Sequence, residues 1–302
     1  VDNVLLREQL AEYAGSHKDF IQYFSSSDGA YEYILRAFGN YEDTILIVGP
    51  TYDNLRVVAE TSGLTTKFVY LSMQDNFRPN EINLRDSIVI ECPNIVYICN
   101  PNNPTGTLWN IAFLEELVQK NPNTLFLIDE AYHEFSDRTT VPIAHKYPNI
   151  IVTRTFSKAF ALAGVRFGYV ITQPKNITNL NKVRNVKSVN SFAQVAASAA
   201  LEDIEFTKQY IASVKKQIVI VKNELLKMQY EVLGEQNGNY LLVNFGRNSK
   251  QISHFLEKNH IFIRSLSHIF NDEHIYRITI GADKEMKLFL NILKKIQLDL
   301  NT

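Results

Sequence analysis

The sequence predicts an α/β protein, with a mainly parallel sheet that carries helices on both faces, followed by a smaller α+β domain. Short apolar runs alternate with helical patterns through the first two thirds of the chain, as in repeated β-α units. Several of the apolar runs lack polar alternation, which is typical of strands buried on both faces. After about Asp203 the pattern changes to one long amphipathic helix and a short mixture of strands and helices.

The predicted elements follow in order along the chain. A helix at residues 4–13 comes first, and we expect it to pack on the smaller domain or on a partner subunit. Apolar runs predict strands at residues 44–48, 67–71, 95–99, 124–128, 150–153 and 167–171, and helical spacing predicts helices at 29–38, 52–61, 111–119 and 192–201. The smaller domain has helices at 205–228, 249–258 and 283–298, and strands at 240–245, 261–264 and 276–280. We therefore divide the chain into an N-terminal helical segment (1–15), a large domain (16–203) and a small domain (204–302).

Composition and charge limit the class of function. The chain has 302 residues, of which 45% are hydrophobic and 21% charged, as expected of a globular protein with a sizeable core. The 31 basic and 32 acidic side chains give a net charge of −1, so nothing favours nucleic acid or an anionic membrane as a partner. No long apolar run predicts a membrane span, and no signal-peptide pattern opens the chain. The two cysteines form no CxxC pair, which favours a reducing cytoplasm and no metal site.

A lysine flanked by apolar residues is the first candidate for chemistry. Lys158 lies in TFSKAFALAGVR, next to phenylalanines and alanines. Apolar surroundings lower the pKa of an amine, which then forms Schiff bases with carbonyl compounds. Arg166 follows in the same stretch, where it could hold a phosphate with the hydroxyls of Thr155 and Ser157. The alternatives are a surface lysine and an arginine in an ordinary salt bridge.

Polar residues follow two of the predicted strands. Asp129 and Tyr132 come after the strand at 124–128, and Asn103 lies in the turn after the strand at 95–99. Ligands of parallel α/β sheets bind at these strand ends. An aspartate there can pair with a protonated pyridine nitrogen, while a tyrosine and an asparagine can donate to a ring oxygen. A helix cap, a core tyrosine and simple turn chemistry are the alternatives.

Further candidates lie at a helix start and in the small domain. Ser27 and Asp28 precede a predicted helix, where small residues make either a phosphate cradle or an ordinary cap. Tyr52 could lay its ring on a flat cofactor or belong to the core. Arg264 and Arg277 lie in predicted strands and need an anion, from a substrate or from an internal ion pair. Together the candidates suit a pyridine aldehyde that carries a phosphate, with an anionic substrate beside it.

On five motifs the sequence resembles the fold type I pyridoxal-phosphate aminotransferases, and most closely the histidinol-phosphate aminotransferase group. The motifs are NPNNPTG (100–106), DEAYHEF (129–135), TFSKAFALAGVRFGY (155–169), VNSFAQVAA (189–197) and RITIG (277–281). They occur in the family's order and at similar spacing, from about Leu6 to near the C-terminus. The combination is highly specific for fold and cofactor and much less specific for the substrate.

The resemblance implies a role for each candidate residue. Lys158 forms the Schiff base with the cofactor and then moves the proton between the substrate and cofactor carbons. Asp129 pairs with the pyridine nitrogen. The resemblance further assigns Asn103 and Tyr132 to the ring oxygen, Tyr52 to the ring face, Ser27, Asp28, Thr155, Ser157 and Arg166 to the phosphate, and Asn239, Arg264 and Arg277 to the substrate.

The implied activity is an aminotransferase reaction, as in histidine biosynthesis. An amino group moves between glutamate or 2-oxoglutarate and a phosphorylated amino alcohol or its keto form, in a cytoplasmic homodimer. A decarboxylase that resembles threonine-phosphate decarboxylase would share the cofactor residues. A non-catalytic cofactor-binding domain is disfavoured by the intact Lys158, Asp129 and Arg166. The family also has an N-terminal arm before its first helix; this sequence opens on Val1, almost at that helix, so we expect part of the substrate pocket to lie outside it.

Overall fold

A seven-stranded sheet forms the centre of the computed structural model, which describes the backbone of residues 3–301 and the side chains of residues 3–298. Its strands are β1 (Ile21–Phe24), β2 (Thr44–Gly49), β3 (Thr65–Tyr70), β4 (Ile95–Cys99), β5 (Leu125–Asp129), β6 (Ile150–Thr155) and β7 (Gly168–Ile171). They lie in the order β1-β7-β6-β5-β4-β2-β3. Strands β2 to β6 are parallel, whereas β7 pairs antiparallel with both β6 and β1. The prediction of a mainly parallel sheet is confirmed.

Helices cover both faces of this sheet. They are α1 (Val4–Ala14), α2 (Ser26–Phe38), α3 (Asn54–Thr61), α4 (Glu81–Glu91), α5 (Ile111–Lys120), α6 (His133–Ser136), α7 (Val141–Lys146), α8 (Pro174–Val183) and α9 (Ser191–Glu202). Neighbouring strand residues point to opposite faces. Val96 and Ile98 of β4 pack in one apolar cluster with α4, α5 and α7, whereas Ile95 and Tyr97 pack in another with α2, α3 and α8. The strands are therefore buried on both sides, as their continuous apolar sequence predicts.

A four-stranded antiparallel sheet forms the smaller α+β unit. Its strands β8 (Glu231–Leu233), β9 (Tyr240–Asn244), β10 (Arg264–Ser265) and β11 (Ile275–Thr279) lie in the order β10-β11-β9-β8, and its helices are α10 (Ile204–Lys227), α11 (Ser249–Lys258), α12 (Ser267–Phe270) and α13 (Asp283–Asn301). The apolar stripe of α10, which includes Val214 and Val221, packs with Val243 of β9. The predicted boundary near residue 203 falls between α9 and α10, and the division into three segments stays a prediction.

Helix α1 packs on the first part of the chain, where we expected the smaller unit; the alternative of a contact with a partner subunit stays a prediction. Leu6 and Leu10 are buried in the same apolar cluster as Ala193 and Ala197 of α9. The helix is also tied to β1, because Nε of Arg7 donates a 2.9 Å hydrogen bond to the carbonyl oxygen of Ile21. Leucines four residues apart form one apolar stripe on a helix, and the contacts with α9 and β1 already bury this stripe.

The loop that follows β4 connects the two sheets. The backbone nitrogen of Glu235 donates to the carbonyl oxygen of Thr105 at 2.8 Å, and Nδ2 of Asn237 donates to that of Gly106 at 2.9 Å. A Cβ on Gly106 would lie 1.8 Å from the carbonyl oxygen of Glu235, and one on Gly234 would lie 2.1 Å from that of Thr105. Both glycines also have positive φ. Two backbone segments therefore touch where no side chain fits.

Some elements differ from the prediction. Strands β1 and β8 and helices α4, α6, α7, α8 and α12 were not predicted. The strand predicted at 261–264 is instead β10, whose pairing begins at Arg264, opposite Arg277. Among the helices of residues 3–301, none combines the length and the apolar character needed to cross a membrane.

Candidate active site

All ten residues predicted to bind the cofactor line one cavity. The cavity lies at the carboxyl ends of β4, β5 and β6, where parallel α/β sheets bind ligands. The predicted residues in its wall are Ser27, Asp28, Tyr52, Asn103, Asp129, Tyr132, Thr155, Ser157, Lys158 and Arg166. Cys99, Ala131 and Ala163 complete the wall and were not predicted. The position of Cys99 at the end of β4 is the signal that could have identified it.

One end of the cavity is formed by the start of α2. This helix begins at Ser26, which has a φ of +81°, three residues before its predicted start. The first amides of a helix have no acceptor within the helix, so this end of α2 suits an anion. Gly168 of β7 approaches so closely that a Cβ would lie 2.5 Å from the backbone nitrogen of Ser27. The absence of a side chain at Gly168 therefore allows β7 to support the turn.

The same end of the cavity gathers hydroxyl groups and a guanidinium. Oγ1 of Thr155 lies 3.0 Å from Oγ of Ser157. The same oxygen accepts a 3.1 Å hydrogen bond from the backbone nitrogen of Ser157. Arg166, half-exposed at the cavity mouth, places Nη2 at 3.0 Å from Oδ2 of Asp28 and donates through Nη1 to the carbonyl oxygen of Ala163 at 3.1 Å. Hydroxyls, a guanidinium and helix amides are the donors that phosphate binding requires.

Lys158 lies deeper in the cavity. Its Nζ lies 5.3 Å from the ring centre of Tyr132. Burial, followed by the positive charge of Arg277, lowers the pKa of Lys158. The next two residues, Ala159 and Phe160, are buried, in agreement with the apolar surroundings inferred from the sequence. A lowered pKa raises the neutral fraction of the amine, which is the form that attacks carbonyl groups.

Asp129 ends β5 at the floor of the cavity and is almost fully buried. Its Oδ2 accepts hydrogen bonds from the hydroxyls of Tyr31 at 2.7 Å and Tyr97 at 3.1 Å. Its Oδ1 accepts from the backbone nitrogen of Ala131 at 3.1 Å and from Oγ1 of Thr153 at 3.2 Å. Burial raises the pKa of Asp129, and the hydrogen bonds from the two phenols oppose that rise.

Two tyrosines and an asparagine surround the space between Lys158 and Asp129. Tyr132 is buried, with its ring edge-on to Tyr240 at a centroid distance of 5.1 Å. Tyr52 is 38% exposed and forms an outer wall. Burial and the nearby carboxylate of Asp28 raise the pKa of Tyr52 to about 12, so its hydroxyl is protonated at neutral pH. Asn103 uses Oδ1 as an acceptor, which leaves Nδ2 as its side-chain donor.

A second cavity adjoins the first and contains two of the three predicted substrate residues. Arg264 and Arg277 line it and are directly opposite each other on β10 and β11. Tyr52, Asn103 and Lys158 line both cavities, so the arginines lie beside the reactive amine. Among the side chains of residues 3–298, no acidic group forms an ion pair with either arginine.

The structure does not bring Asn239, the third predicted substrate residue, into the wall of either cavity. Its backbone carbonyl oxygen accepts a 2.8 Å hydrogen bond from the nitrogen of Ile280, just beyond the end of β11. Asn239 therefore takes part in closing the end of the four-stranded sheet.

The residues of the first cavity fit pyridoxal phosphate. Lys158 offers an amine for the aldehyde, and Asp129 offers a carboxylate for the pyridine nitrogen. The start of α2, the hydroxyls of Thr155 and Ser157, and Arg166 form one donor cluster for a single phosphate group. Each functional group of the cofactor therefore has a partner of suitable chemistry in the same cavity.

Comparison with known proteins identifies the family of the chain. The chain matches the family described as Aminotransferase class I and II over residues 2–296. It is 38% identical to a dihydroxyacetone phosphate transaminase of Campylobacter jejuni, over 98% of this chain and 79% of that protein. It is 31% identical to a histidinol-phosphate aminotransferase of Francisella philomiragia, over 98% of this chain and 83% of that one.

A solved structure is similar over nearly the whole chain. It is the histidinol-phosphate aminotransferase of Sinorhizobium meliloti in complex with pyridoxal-5'-phosphate, which is 25% identical with a TM-score of 0.87, over 98% of this chain and 81% of that one. The fold, the cofactor and the enzyme class predicted from the sequence are thereby confirmed. The chain belongs to the class I and II aminotransferase family and is a pyridoxal-phosphate-dependent aminotransferase of fold type I.

Proposed function

We propose that this aminotransferase moves an amino group between glutamate or 2-oxoglutarate and a phosphorylated amino alcohol or its keto form. The observation that carries the proposal is the pair Arg264 and Arg277, which lines the cavity beside Lys158 without an acidic partner among the described side chains. A guanidinium binds a carboxylate or a phosphate through parallel hydrogen bonds. The pair therefore suits substrates that carry either anion.

Both substrates must use this one anion site in turn. In an aminotransferase the first substrate leaves its amino group on the enzyme before the second substrate enters, so the two occupy the same space at different times. Glutamate brings carboxylates, and the second substrate brings a phosphate. Two adjacent guanidinium groups can bind either a carboxylate or a phosphate, because both anions present several oxygen atoms to the N–H donors of each guanidinium.

Bound pyridoxal phosphate supplies an electron sink for negative charge at the substrate carbon. The protein's own groups then have separate roles. Asp129 supplies the negative charge beside the pyridine nitrogen, and Asn103 and Tyr132 bind the ring oxygen. Nζ of Lys158 would take the proton from the substrate carbon and give it to the carbon that carried the aldehyde of the cofactor, a role helped by the lowered pKa of this amine.

The relatives support the phosphate on the second substrate. One is named for dihydroxyacetone phosphate and others for histidinol phosphate, and both compounds carry a phosphate ester one carbon away from the carbon that holds the keto or amino group. The shared chemistry is therefore a phosphorylated amino alcohol or its ketone. Dihydroxyacetone phosphate is the first candidate, because that relative has the higher identity. Histidinol phosphate would instead connect the enzyme to histidine biosynthesis.

The half-reactions can be observed separately by absorbance. Purified protein loaded with pyridoxal phosphate is mixed with glutamate alone, and we expect the cofactor to change from its aldehyde form to its amine form. Dihydroxyacetone phosphate, the keto form of histidinol phosphate and 2-oxoglutarate are then added to separate samples. Recovery of the aldehyde form with a phosphorylated ketone, at a rate comparable to that with 2-oxoglutarate, supports the proposal. Recovery with unphosphorylated keto acids only contradicts it.

Matched lysine variants make this experiment specific. Lys158→Ala is expected to abolish the spectral change, whereas Lys187→Ala, at an exposed position between α8 and α9, leaves it intact. Release of CO2 from a phosphorylated amino acid, without transfer of its amino group, would favour the decarboxylase alternative. The predicted homodimer and cytoplasmic location stay predictions, and light scattering on the purified protein tests the first.

A further inference from the structure

Two buried phenols from different elements meet at one carboxylate oxygen on the cavity floor. The hydroxyl of Tyr31, in α2, lies 2.7 Å from Oδ2 of Asp129, and that of Tyr97, in β4, lies 3.1 Å from the same atom. Both tyrosines are fully buried. Their rings meet edge-on, with centroids 6.0 Å apart and an angle of 81°. The two hydroxyls thus converge on the oxygen from α2 on one side and from the neighbouring strand on the other.

The position of Asp129 makes these donors important. A carboxylate that is removed from water takes up a proton unless hydrogen bonds or positive charges favour the ionised form. Around this carboxyl group, the nearby ionisable groups are Asp28 and Tyr31 from α2, Tyr97 and Cys99 from β4, and Tyr52, Tyr132 and Lys158 from the loops. Lys158 is the only one of these with a positively charged form, and burial disfavours that form. The charged form of Asp129 is therefore stabilised by neutral donors, which are the two phenols at Oδ2 and the backbone nitrogen of Ala131 and the hydroxyl of Thr153 at Oδ1.

We propose that Tyr31 and Tyr97 are positioning residues, which hold Asp129 ionised and fix the orientation of its carboxylate for the pyridine nitrogen of the cofactor. A carboxylate that stays charged keeps a protonated pyridine ring beside it, and the ring depends on that proton to accept electrons. The inference goes beyond the roles that the family resemblance assigns, since those roles include neither Tyr31 nor Tyr97. It does not depend on the identity of the second substrate.

The position of the phenols allows clean variants. Tyr31 and Tyr97 lie behind Asp129 and are not part of the cavity wall, so Tyr31→Phe and Tyr97→Phe leave the shape of the cavity unchanged. Each variant removes one hydroxyl and keeps the ring in its apolar cluster. Tyr23→Phe is the matched control, because Tyr23 is a buried tyrosine whose hydroxyl accepts from the backbone nitrogen of Asn3, away from the cavity.

The first measurement is the dissociation constant of pyridoxal phosphate from the apoprotein between pH 4.5 and 9, by equilibrium dialysis. Protonation of Asp129 competes with binding of the protonated pyridine ring, so affinity falls about tenfold per pH unit below the pKa of this carboxyl group. Loss of one hydrogen bond to a charged group raises that pKa, so the fall is expected to begin about one to two pH units higher in Tyr31→Phe. Tyr97→Phe is expected to move it less, because its hydrogen bond is longer, and Tyr23→Phe not at all.

A second measurement follows the carboxyl group itself. Difference infrared spectroscopy of the apoprotein detects a protonated buried carboxyl group, and Asp129→Asn identifies which band belongs to it. We expect this band to appear at a higher pH in both phenol variants than in the wild type. If the wild type and both variants take up the proton at the same pH, the proposal is wrong. Should Tyr31→Phe fail to fold, as judged by its melting curve, Tyr97→Phe alone decides between these outcomes.

Discussion

Nη1 of Arg277 donates a 2.7 Å hydrogen bond to Oδ1 of Asn103, which joins the four-stranded sheet to the loop after β4. One residue is predicted to bind the substrate anion and the other the cofactor ring. Nε of the same arginine is buried without a hydrogen-bond partner. A buried N–H without a partner is unfavourable, so a substrate anion that reached it would gain a strong hydrogen bond. If both residues have their predicted roles, substrate binding and cofactor orientation are linked through one side chain.

Arg277→Ala is expected to raise KM for glutamate about 10- to 100-fold, because a charge-assisted hydrogen bond to the substrate anion is lost. Steady-state kinetics with glutamate and with the phosphorylated ketone measure the change. Arg264→Ala is expected to raise KM for the phosphorylated substrate more than KM for glutamate. Arg247→Ala, at an exposed position before α11, is the control. Values of KM within twofold of wild type for Arg277→Ala would contradict the proposed anion site.

Arg166→Ala is expected to weaken binding of pyridoxal phosphate about 10- to 100-fold, because the cavity loses the one guanidinium in its phosphate cluster. Binding of pyridoxal, which has no phosphate, is expected to change little. Fluorescence titration of the apoprotein with each compound gives the two affinities. An equal loss for both compounds would show that Arg166 acts on the fold of the site, through Asp28, and not on the phosphate.

Gly168→Ala is expected to weaken pyridoxal phosphate binding at least about tenfold and to lower the melting temperature. The new Cβ would lie 2.5 Å from the backbone nitrogen of Ser27 and 2.8 Å from the carbonyl oxygen of Arg154, both rigid backbone atoms. The start of α2 must then shift away from the phosphate. Gly164→Ala is the matched control, because its Cβ would meet no atom within 4 Å. Wild-type affinity in Gly168→Ala would show that the first turn of α2 does not hold the phosphate.

The lowered pKa of Lys158 predicts a pH-dependent stability of the apoprotein. Between this lowered pKa and the ordinary value of about 10.4, the unfolded chain binds a proton at Lys158 that the folded chain does not. The stability contributed by this group therefore rises with pH across that window. Burial of an amine that is protonated in the unfolded chain destabilises the folded state at neutral pH. Lys158→Met removes this cost, so we expect the variant to melt at a higher temperature than wild type at neutral pH.

Melting curves of the apoprotein from pH 6 to 10 measure the effect. The difference between Lys158→Met and wild type is expected to shrink as the pH approaches about 10.4, since Lys158 of the unfolded chain then begins to lose its proton as well. Lys187→Met is the control, because this side chain is exposed. A constant difference across the whole range would mean that packing, and not charge, causes the change.

The predicted elements differ from the structure where local patterns are weak. The central strands β4 and β5 are continuous apolar runs and were predicted within a residue. Strand β1 has only four residues, and its partner β7 is remote in the chain. In α4 the apolar residues Ile82, Val89 and Ile90 are exposed, which hides the helical period of its buried residues. Tertiary contacts determine whether such segments form strands or helices, and these contacts cannot be read from a single sequence.

The ten residues predicted to bind the cofactor could be grouped from the sequence because each lies in a motif next to a strand end or a helix start, and the structure brings them to one cavity. Tyr31 was not predictable, since it occupies a buried position in the middle of α2 with the spacing of an ordinary core residue. Nothing near it in the sequence indicates that its hydroxyl reaches Asp129, which is 98 residues away. Asn239 lies outside both cavity walls although it resembles a substrate-lining position, and its role in substrate binding stays a prediction.

The close approach of the two backbone segments at Gly106 and Gly234 also has an evolutionary consequence. Each glycine faces the backbone of the other segment at a distance that leaves no space for a methyl group. A substitution at either position would force the segments apart, and a change at the second position could not compensate for the first. We therefore expect both positions to stay glycine in descendants of this gene, even where the second substrate changes and the surrounding side chains diverge.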